Sequence, residues 1–236
     1  MIEHTEGIVL HTIPYSESSV ISHIYSKKFG VHSCIMSTVR TQRSKSAYFR
    51  PLSIITYSVY HTKQNLHRIK DIQFAYIASS IYDSVYKANM ALFIGEFLHK
   101  LCIHTEANLD VYNFIAQYIQ FLDTEDNSYT QSHIIFLIQL LQYWGISPHS
   151  EYSKGFYFDK QLGIFTEQYN SSCLSLQLSS VLHDFIESNT FASNIRCSRD
   201  EKHLIIEAII DYYGIHTHSI GTLHTLNILK QIFSPQ

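Results

Sequence analysis

The main change in the spacing of apolar residues along this chain falls between about residues 73 and 80. Up to about residue 73 the apolar residues alternate with polar ones or fall in short β-branched and aromatic runs, and from about residue 80 they recur every three to four positions. Alternation over short runs indicates strands, whereas a 3.6-residue period indicates amphipathic helices. The change therefore predicts a β-rich part followed by a helical part, with the boundary near residues 74–84.

Five strand-like segments precede this boundary. They are separated by turn signals such as Pro14 and the Lys-Lys-Phe-Gly run that ends at Gly30. The segments are Gly7–Ile13, Val20–Tyr25, Val31–Val39, Leu52–His61 and Leu66–Ile72. Five short strands in so few residues are typical of a small barrel or sandwich, and the five-stranded OB barrel fits this size. We therefore predict an α+β chain with an OB-type barrel over residues 1–78.

Residues 79–236 are predicted to form a mainly α-helical bundle. The stretch Gln131–Trp144 is apolar over most of its surface, which favours a buried central helix that ends at Gly145. Ser219 is the predicted N-cap of the last helix. Aromatic residues on both sides of a short turn predict a β-hairpin insert near residues 153–166. The other helical segments are Ala88–His104, Leu109–Leu122, Leu174–Glu187, Arg199–Tyr213 and Ile220–Phe233.

Positive charge is concentrated in the predicted barrel. Residues 1–80 hold nine Lys or Arg and four acids, a net charge of +5, whereas residues 81–236 hold eight Lys or Arg and sixteen acids, a net charge of −8. A basic surface suits a polyanion, because each neutralised phosphate releases counterions and adds affinity that is independent of base sequence. The charge pattern is compatible with nucleic-acid binding at the N-terminal end and equally compatible with a domain that has no such ligand.

The candidate binding residues are the cations of this region. Four of them lie close together between the third and fourth predicted strands, namely Arg40, Arg43, Lys45 and Arg50. Charge placement adds Lys27, Lys28, Arg68 and Lys70. Arg68 and Lys70 alternate on one predicted strand and therefore face the same side. Nearby aromatic rings either stack on bases beside these cations or form the barrel core, and both interpretations stay open for Tyr25, Phe29, Tyr48, Phe49, Tyr57 and Tyr60.

Signatures of an enzyme are missing from the sequence. It contains no G-x-S-x-G, no Walker loop and no G-x-G-x-x-G. Its four cysteines form no C-x-x-C pair and its fifteen histidines no H-E-x-x-H, so we expect free thiols and no metal site. With no run of 18 apolar residues and no basic N-terminal leader, we expect a cytoplasmic protein that does not bind a membrane.

Several ordered motifs resemble the RecO family of bacterial recombination mediators, and together they cover nearly the whole chain. In the predicted barrel they are G-I-V-L-H-T-I-P-Y-S-E-S-S from Gly7, F-G-V at Phe29–Val31, R-x-x-R-S-K-S from Arg40, Pro51-Leu52, and L-H-R-I-K-D-I from Leu66. In the helical part they are L-L-Q-Y-W-G-I-S-P at Leu140–Pro148 and S-I-G-T-L-H-T-L at Ser219–Leu226. No single motif is highly specific, and the resemblance depends on their order.

This resemblance implies a non-enzymatic protein that needs no cofactor. It implies binding of single- and double-stranded DNA, annealing of complementary strands, and partnership with RecR. It also implies docking on the C-terminal tail of single-stranded DNA-binding protein, so that RecA is loaded at gaps and is an indirect partner. Arg40, Arg43 and Lys45 match the basic loop of the family, and association with the nucleoid in the cytoplasm follows.

Two departures from the family pattern stand out. Many relatives carry a four-cysteine zinc finger after the Gly…Pro helix end, whereas residues 149–165 of this chain contain no cysteine, so no zinc finger is expected here. The C-terminal part is acidic, which suits an acidic partner tail poorly. Two other functions stay open: a protein-interaction scaffold whose barrel binds an acidic protein, and an unrecognised hydrolase that uses the histidines.

Overall fold

The computed structural model describes residues 2–37, 45–60, 66–149 and 151–232. These residues form two compact units. One unit runs to Asp123 and also includes Leu223–Leu229, and the other consists of Thr124–Thr222 and the residues from Lys230 onwards. The helices before Asp123 therefore belong to the same unit as the strands. That residues 1–78 form a DNA-binding domain of their own remains a prediction.

The first unit contains a closed barrel of five strands in the order β1-β2-β3-β5-β4. The strands are β1 (Ile2–Ser16), β2 (Ser19–Ser26), β3 (Gly30–Ser37), β4 (Ile54–Tyr60) and β5 (Leu66–Tyr76). Neighbouring strands are antiparallel except for β3 and β5, which are parallel. The predicted OB-type barrel is thereby confirmed, and β1 begins earlier than its alternating pattern indicates.

The barrel interior is filled by alternate residues of the strands and by Phe49 from the 3-10 helix Lys45–Phe49. The buried cluster comprises Val9, Ile24, Cys34, Met36, Phe49, Ile55, Tyr57, Val59 and Ile69. Phe29 and Tyr48 are half-buried and pack against it, and Tyr25 is buried as well. Of the six aromatic residues with two open interpretations, Tyr60 alone is exposed, at 43%.

Three helices follow the barrel: α1 (Ser79–Asp83), α2 (Val85–Cys102) and α3 (Leu109–Thr124). Helix α1 was not predicted, because five residues are too few to display a helical period. Helix α2 begins where the Ser84 hydroxyl accepts a hydrogen bond from the N–H of Lys87. Helix α3 begins where the Asn108 side chain accepts from the N–H groups of Asp110 and Val111, at 2.9 and 3.2 Å.

The second unit contains α4 (Ser132–Leu140), a hairpin of β6 (Tyr157–Asp159) and β7 (Ile164–Thr166), α5 (Leu176–Ile186) and α6 (Arg199–Thr217). Eight of the nine residues of α4 are buried, which confirms the central helix. Gly145, with a φ of 65°, ends the 3-10 turn that follows α4. The predicted hairpin insert is also confirmed. None of the described helices is long and apolar enough to cross a membrane.

The predicted start of the last helix is wrong. Helix α7 (Thr225–Ile232) begins six residues after Ser219, whose hydroxyl lies 2.7 Å from that of Thr217. The carboxylate of Glu96 in α2 caps α7 instead, because it accepts hydrogen bonds from the N–H groups of His224 and Thr225, at 3.0 and 2.9 Å, and from the Thr225 hydroxyl at 2.6 Å. A cap from a distant element has no local sequence signal.

Candidate nucleic-acid interface

Two of the predicted cations stand on the outer face of β5. Arg68 and Lys70 are exposed, whereas their neighbours His67 and Ile69 are buried, as strand alternation predicts. Arg68 has no ion pair with any described carboxylate. Lys70 Nζ lies 3.9 Å from the Asp71 carboxylate, and both side chains are about half exposed or more. An exposed pair at this distance adds well under about 1 kcal/mol, so both cations are available to an anionic ligand.

A β-bulge lies at Lys70 on β5. Ser58 pairs with Asp71 and Val59 pairs with Ile69, so Lys70 is the extra residue between two register pairs. Bulges bend a strand and re-aim side chains at barrel rims. The sequence contains no local signal for this bulge, because it depends on the register with β4.

The parallel register of β3 and β5 places Arg68 near the end of β3. The register pairs end at Ile35 and Arg68, and β3 itself ends two residues later, at Ser37. Residues 38–44 follow, so Arg40 and Arg43 lie outside the described residues. Lys45 is the first residue of the 3-10 helix Lys45–Phe49.

Lys27 and Lys28 are at the other end of the β2–β3 hairpin. They lie in the turn that the pair Ser26–Gly30 closes. Residues 38–44 come after Ser37, whose partner Ser19 marks the open end of the hairpin. An eight-residue strand is roughly 23 Å long, so the structure does not bring these lysines together with Arg68. Lys27 Nζ lies 2.7 Å from a carboxylate oxygen of Glu6, and Lys28 is ion-paired with Glu3.

Glu6 joins the barrel to helix α3. It accepts a hydrogen bond from the Tyr112 hydroxyl at 2.8 Å, and Lys27 Nζ lies 4.7 Å from the centre of the Tyr112 ring. Burial alone raises the pKa of Glu6, but the hydrogen bonds from Lys27 and Tyr112 outweigh it and lower the pKa. Lys27 therefore has a structural role in this network. Arg50 is likewise engaged, since its guanidinium lies 4.8 Å from the ring centre of Tyr82 in α1.

Three histidine rings from different elements cluster where α2 meets the barrel. Their centroids are 4.3 Å apart between His23 and His99, 5.6 Å between His11 and His99, and 6.1 Å between His11 and His23. Burial first, and then the charges of the other two rings, lower the pKa of His99 to about 4. The described residues nevertheless contain no group of three His, Cys, Asp or Glu placed to hold a metal ion.

Comparison with known proteins identifies relatives along the whole chain. A family model described as "Recombination protein O N terminal" matches residues 1–77. DNA repair protein RecO of Phocaeicola vulgatus is 30% identical over 241 residues, which cover 99% of this chain and 100% of the relative. Proteins of the same name from Azobacteroides pseudotrichonymphae and Flavobacterium johnsoniae are 29% and 27% identical, with at least 98% of each chain covered. The barrel, the helices that follow it and these matches over the full length show that the chain belongs to the RecO family.

Proposed function

We propose that this protein acts in DNA repair and homologous recombination as a non-enzymatic mediator whose barrel domain, residues 1–78, binds DNA. In this proposal it binds single and double strands and anneals complementary strands. With RecR it helps to load RecA onto DNA that is coated by single-stranded DNA-binding protein, whose C-terminal tail it contacts. Membership in the RecO family supports the repair role, and the cations of the barrel support the DNA contact.

The observation that carries the proposal is the pair of cations on β5. Arg68 and Lys70 are exposed on the strand next to the start of a segment that contains Arg40 and Arg43 and no acid. Arginine presents a planar fork of donors to phosphate, and lysine a point charge. A strip of such residues binds the sugar–phosphate backbone mainly through counterion release, which makes the affinity strongly dependent on salt.

The eight candidate cations do not contribute equally to DNA binding in this proposal. The main contacts come from Arg68, Lys70 and the basic segment with Arg40, Arg43 and Lys45. Lys27, Lys28 and Arg50 contribute less, because each already interacts with a carboxylate or an aromatic ring. Moving such a side chain to DNA would break those interactions and so reduce the net gain.

The test is a salt titration of binding to fluorescent single-stranded DNA. Replacing Arg68 and Lys70 by Gln should lower the slope of log affinity against log salt by about 1 to 2 units and weaken binding to all sequences alike. Replacing Arg40, Arg43 and Lys45 by Ala should act in the same direction. A variant in which Lys27 and Lys28 are both Gln is the matched control and should change the slope by less than the β5 double variant.

The outcomes separate the competing functions. Absence of wild-type binding to DNA, even at low salt, would contradict the proposal and favour a scaffold that binds an acidic protein. Wild-type binding with an unchanged slope in both the β5 and the loop variants would remove these cations from the interface. The mediator role is tested by RecA loading at gaps coated with single-stranded DNA-binding protein, with and without RecR.

A further inference from the structure

The strand register aligns six outward-facing side chains across the barrel. Consecutive members are direct partners on neighbouring strands, from β1 through β2, β3, β5 and β4 and back to β1. We call them the outer row: Ile13, Ile21, Ile35, Arg68, Tyr60 and Ile2. Neighbouring strands lie about 4.8 Å apart, so the part from Ile13 to Tyr60 spans roughly 19 Å of curved surface.

The outer row is accessible to a ligand. Its members alternate along each strand with core residues; Cys34 and Met36, for example, flank Ile35 and point inward. Ile2, Ile13 and Tyr60 are 39%, 40% and 43% exposed. Ile21 and Ile35 are half-buried, and Arg68 is exposed. Single exposed apolar residues are ordinary on protein surfaces, whereas Ile13, Ile21 and Ile35 are direct partners across three neighbouring strands and form a short apolar line.

The outer row contains one charged side chain, Arg68, and Lys70 follows two residues later on β5. Two acids lie on the same strands. Asp71 lies 3.9 Å from Lys70, and Glu3, next to Ile2, is ion-paired with Lys28. Apolar side chains on both sides of an exposed arginine suit a ligand that has both apolar flat faces and a negatively charged backbone.

Single-stranded DNA has this combination, and duplex DNA does not. In a duplex the base faces are stacked inside, so only phosphates and groove edges reach a convex surface such as this barrel. In a single strand every base has a free face that stacks on aromatic or apolar side chains. The β2–β3 face is also where OB folds bind oligonucleotides, and Ile21 and Ile35 are a directly paired couple on that face.

We infer that the outer row is the part of the interface that holds unpaired bases. Tyr60 stacks on one base, the isoleucines pack against its neighbours, and Arg68 between them bonds a phosphate or a base edge. This inference rests on the proposed DNA-binding function, and it predicts a preference for single strands that comes from side chains without charge.

The test compares Tyr60→Thr and Ile35→Thr with the wild type. Threonine is β-branched and suits an exposed strand position, and thermal unfolding checks that the fold is kept. Binding is measured to a fluorescent oligothymidine and to a duplex of equal length, each at several salt concentrations. Tyr169→Thr is the matched control, because Tyr169 is 66% exposed and lies in the second unit.

Tyr60→Thr should weaken binding to the single strand by about 5- to 100-fold, the equivalent of one lost stacking contact. Its salt slope should stay at the wild-type value, since no phosphate contact is lost. Duplex binding should change by less than about 2-fold, and the control should match the wild type for both ligands. Ile35→Thr should show the same pattern with a smaller loss.

Two results would overturn the inference while leaving the DNA-binding proposal intact. One is unchanged affinity for the single strand in Tyr60→Thr and Ile35→Thr. The other is an equal loss for single strand and duplex, which would mean that the outer row does not contact unpaired bases. Absence of wild-type binding to either ligand would contradict the proposed function itself.

Discussion

Gly95 in α2 lies directly against the backbone carbonyl of Leu10 in β1. A Cβ atom added to Gly95 would stand 2.5 Å from that oxygen, closer than real Cβ atoms approach any heavy atom. Leu10 is also the residue between two register pairs of β1 with β2, Val9–Ile24 and His11–His23. The helix therefore packs on a β-bulge, and the atom in its way belongs to the backbone and cannot rotate aside.

Gly95→Ala should destabilise the first unit. Alanine gains about 1 kcal/mol over glycine inside a helix, but overpacking against a rigid neighbour costs about 1–3 kcal/mol. The clash is with backbone, so we expect the cost to exceed the gain and the free energy of unfolding to fall by about 1–2 kcal/mol. Urea unfolding followed by circular dichroism measures the change.

Gly214→Ala is the matched control for this prediction. Gly214 lies inside α6, and the nearest atom to an added Cβ is 4.0 Å away. The same replacement should therefore be neutral or stabilise the protein by up to about 1 kcal/mol. Equal stabilisation by both variants would show that α2 can move away from β1 at no cost.

The Glu6 network predicts that Lys27 matters more for stability than for DNA. Lys27→Gln should lower the free energy of unfolding by about 1 kcal/mol, since it removes a half-exposed ion pair and a cation–π contact. Tyr112→Phe should cost about 1.5–2 kcal/mol, because the Tyr112 side chain is buried and donates to a carboxylate. DNA affinity of Lys27→Gln should fall less than that of Arg68→Gln. The reverse order in fluorescence anisotropy would assign Lys27 to the DNA interface.

Asp159 should hold the hairpin of the second unit together. Its buried carboxylate accepts from Asn170 Nδ2 at 2.6 Å, from the Ser172 hydroxyl at 2.8 Å, and from the N–H groups of Gln161 and Leu162 at 2.8 and 3.2 Å. Asp159→Asn keeps the size of the side chain but removes its charge, and it should cost about 2–4 kcal/mol. Asp211→Asn, at an exposed pair with Lys160, is the control and should cost less than about 1 kcal/mol.

The same carboxylate predicts a loss of stability in acid. Burial raises the pKa of Asp159, but the hydrogen bonds from Asn170, Ser172 and the two N–H groups outweigh it and lower the pKa. The unfolded chain therefore takes up a proton at higher pH than the folded one. The stabilisation is complete above about pH 4 and is lost as the pH falls further. Asp159→Asn should flatten this part of the profile of unfolding free energy against pH, and an unchanged profile would contradict the prediction.

The histidine cluster should lower the free energy of unfolding as the pH falls from about 6.5 to 4. The pKa of His99 is lowered to about 4, chiefly by burial and further by the charges of His23, His11 and Lys100, against a small opposing effect of Glu96. In the unfolded chain His99 binds a proton near pH 6.5, whereas in the folded chain it binds one only near pH 4. Stability therefore falls as the pH drops through this range. His99→Phe keeps an aromatic ring at this position. It should reduce the loss of unfolding free energy over this pH range by up to roughly 2 kcal/mol, a figure already lowered to allow for solvent screening. Matching profiles for the two proteins would exclude the cluster as their source.

Short-range patterns in the sequence predicted most of the fold. Alternation along residues 66–72 predicted both the strand and the shared outward face of Arg68 and Lys70, because the two-residue period needs no knowledge of the neighbouring strands. Ser198 and Glu201 form a capping box at the start of α6, a device whose members lie three residues apart in the sequence. The buried helix at residues 132–140 followed from its continuous apolar surface.

Features that depend on register or on distant contacts were beyond such patterns. Tyr57 and Tyr60 lie three residues apart on β4, so alternation places them on opposite faces, but the pairing of the strands decides that Tyr57 is buried and Tyr60 exposed. The outer row unites residues that are up to 66 positions apart in the sequence, from Ile2 to Arg68, and it exists only once five strands are paired. The separation of Lys27 and Lys28 from the β5 cations is equally a matter of hairpin geometry, since a count of charges does not distinguish the two ends of a strand.

The cap that Glu96 provides for α7 has a consequence for biosynthesis. Leu223 and Leu229, which are buried, belong to the first unit although about a hundred residues separate them from its remainder. On the ribosome the strands and α2 emerge long before this segment. Until it emerges, the carboxylate of Glu96 is hydrated and lacks its N–H donors, His224 and Thr225. The unit that is translated first is thus completed only after most of the second unit has been made, and a nascent chain released before Leu223 would lack the N–H and hydroxyl groups that donate to Glu96.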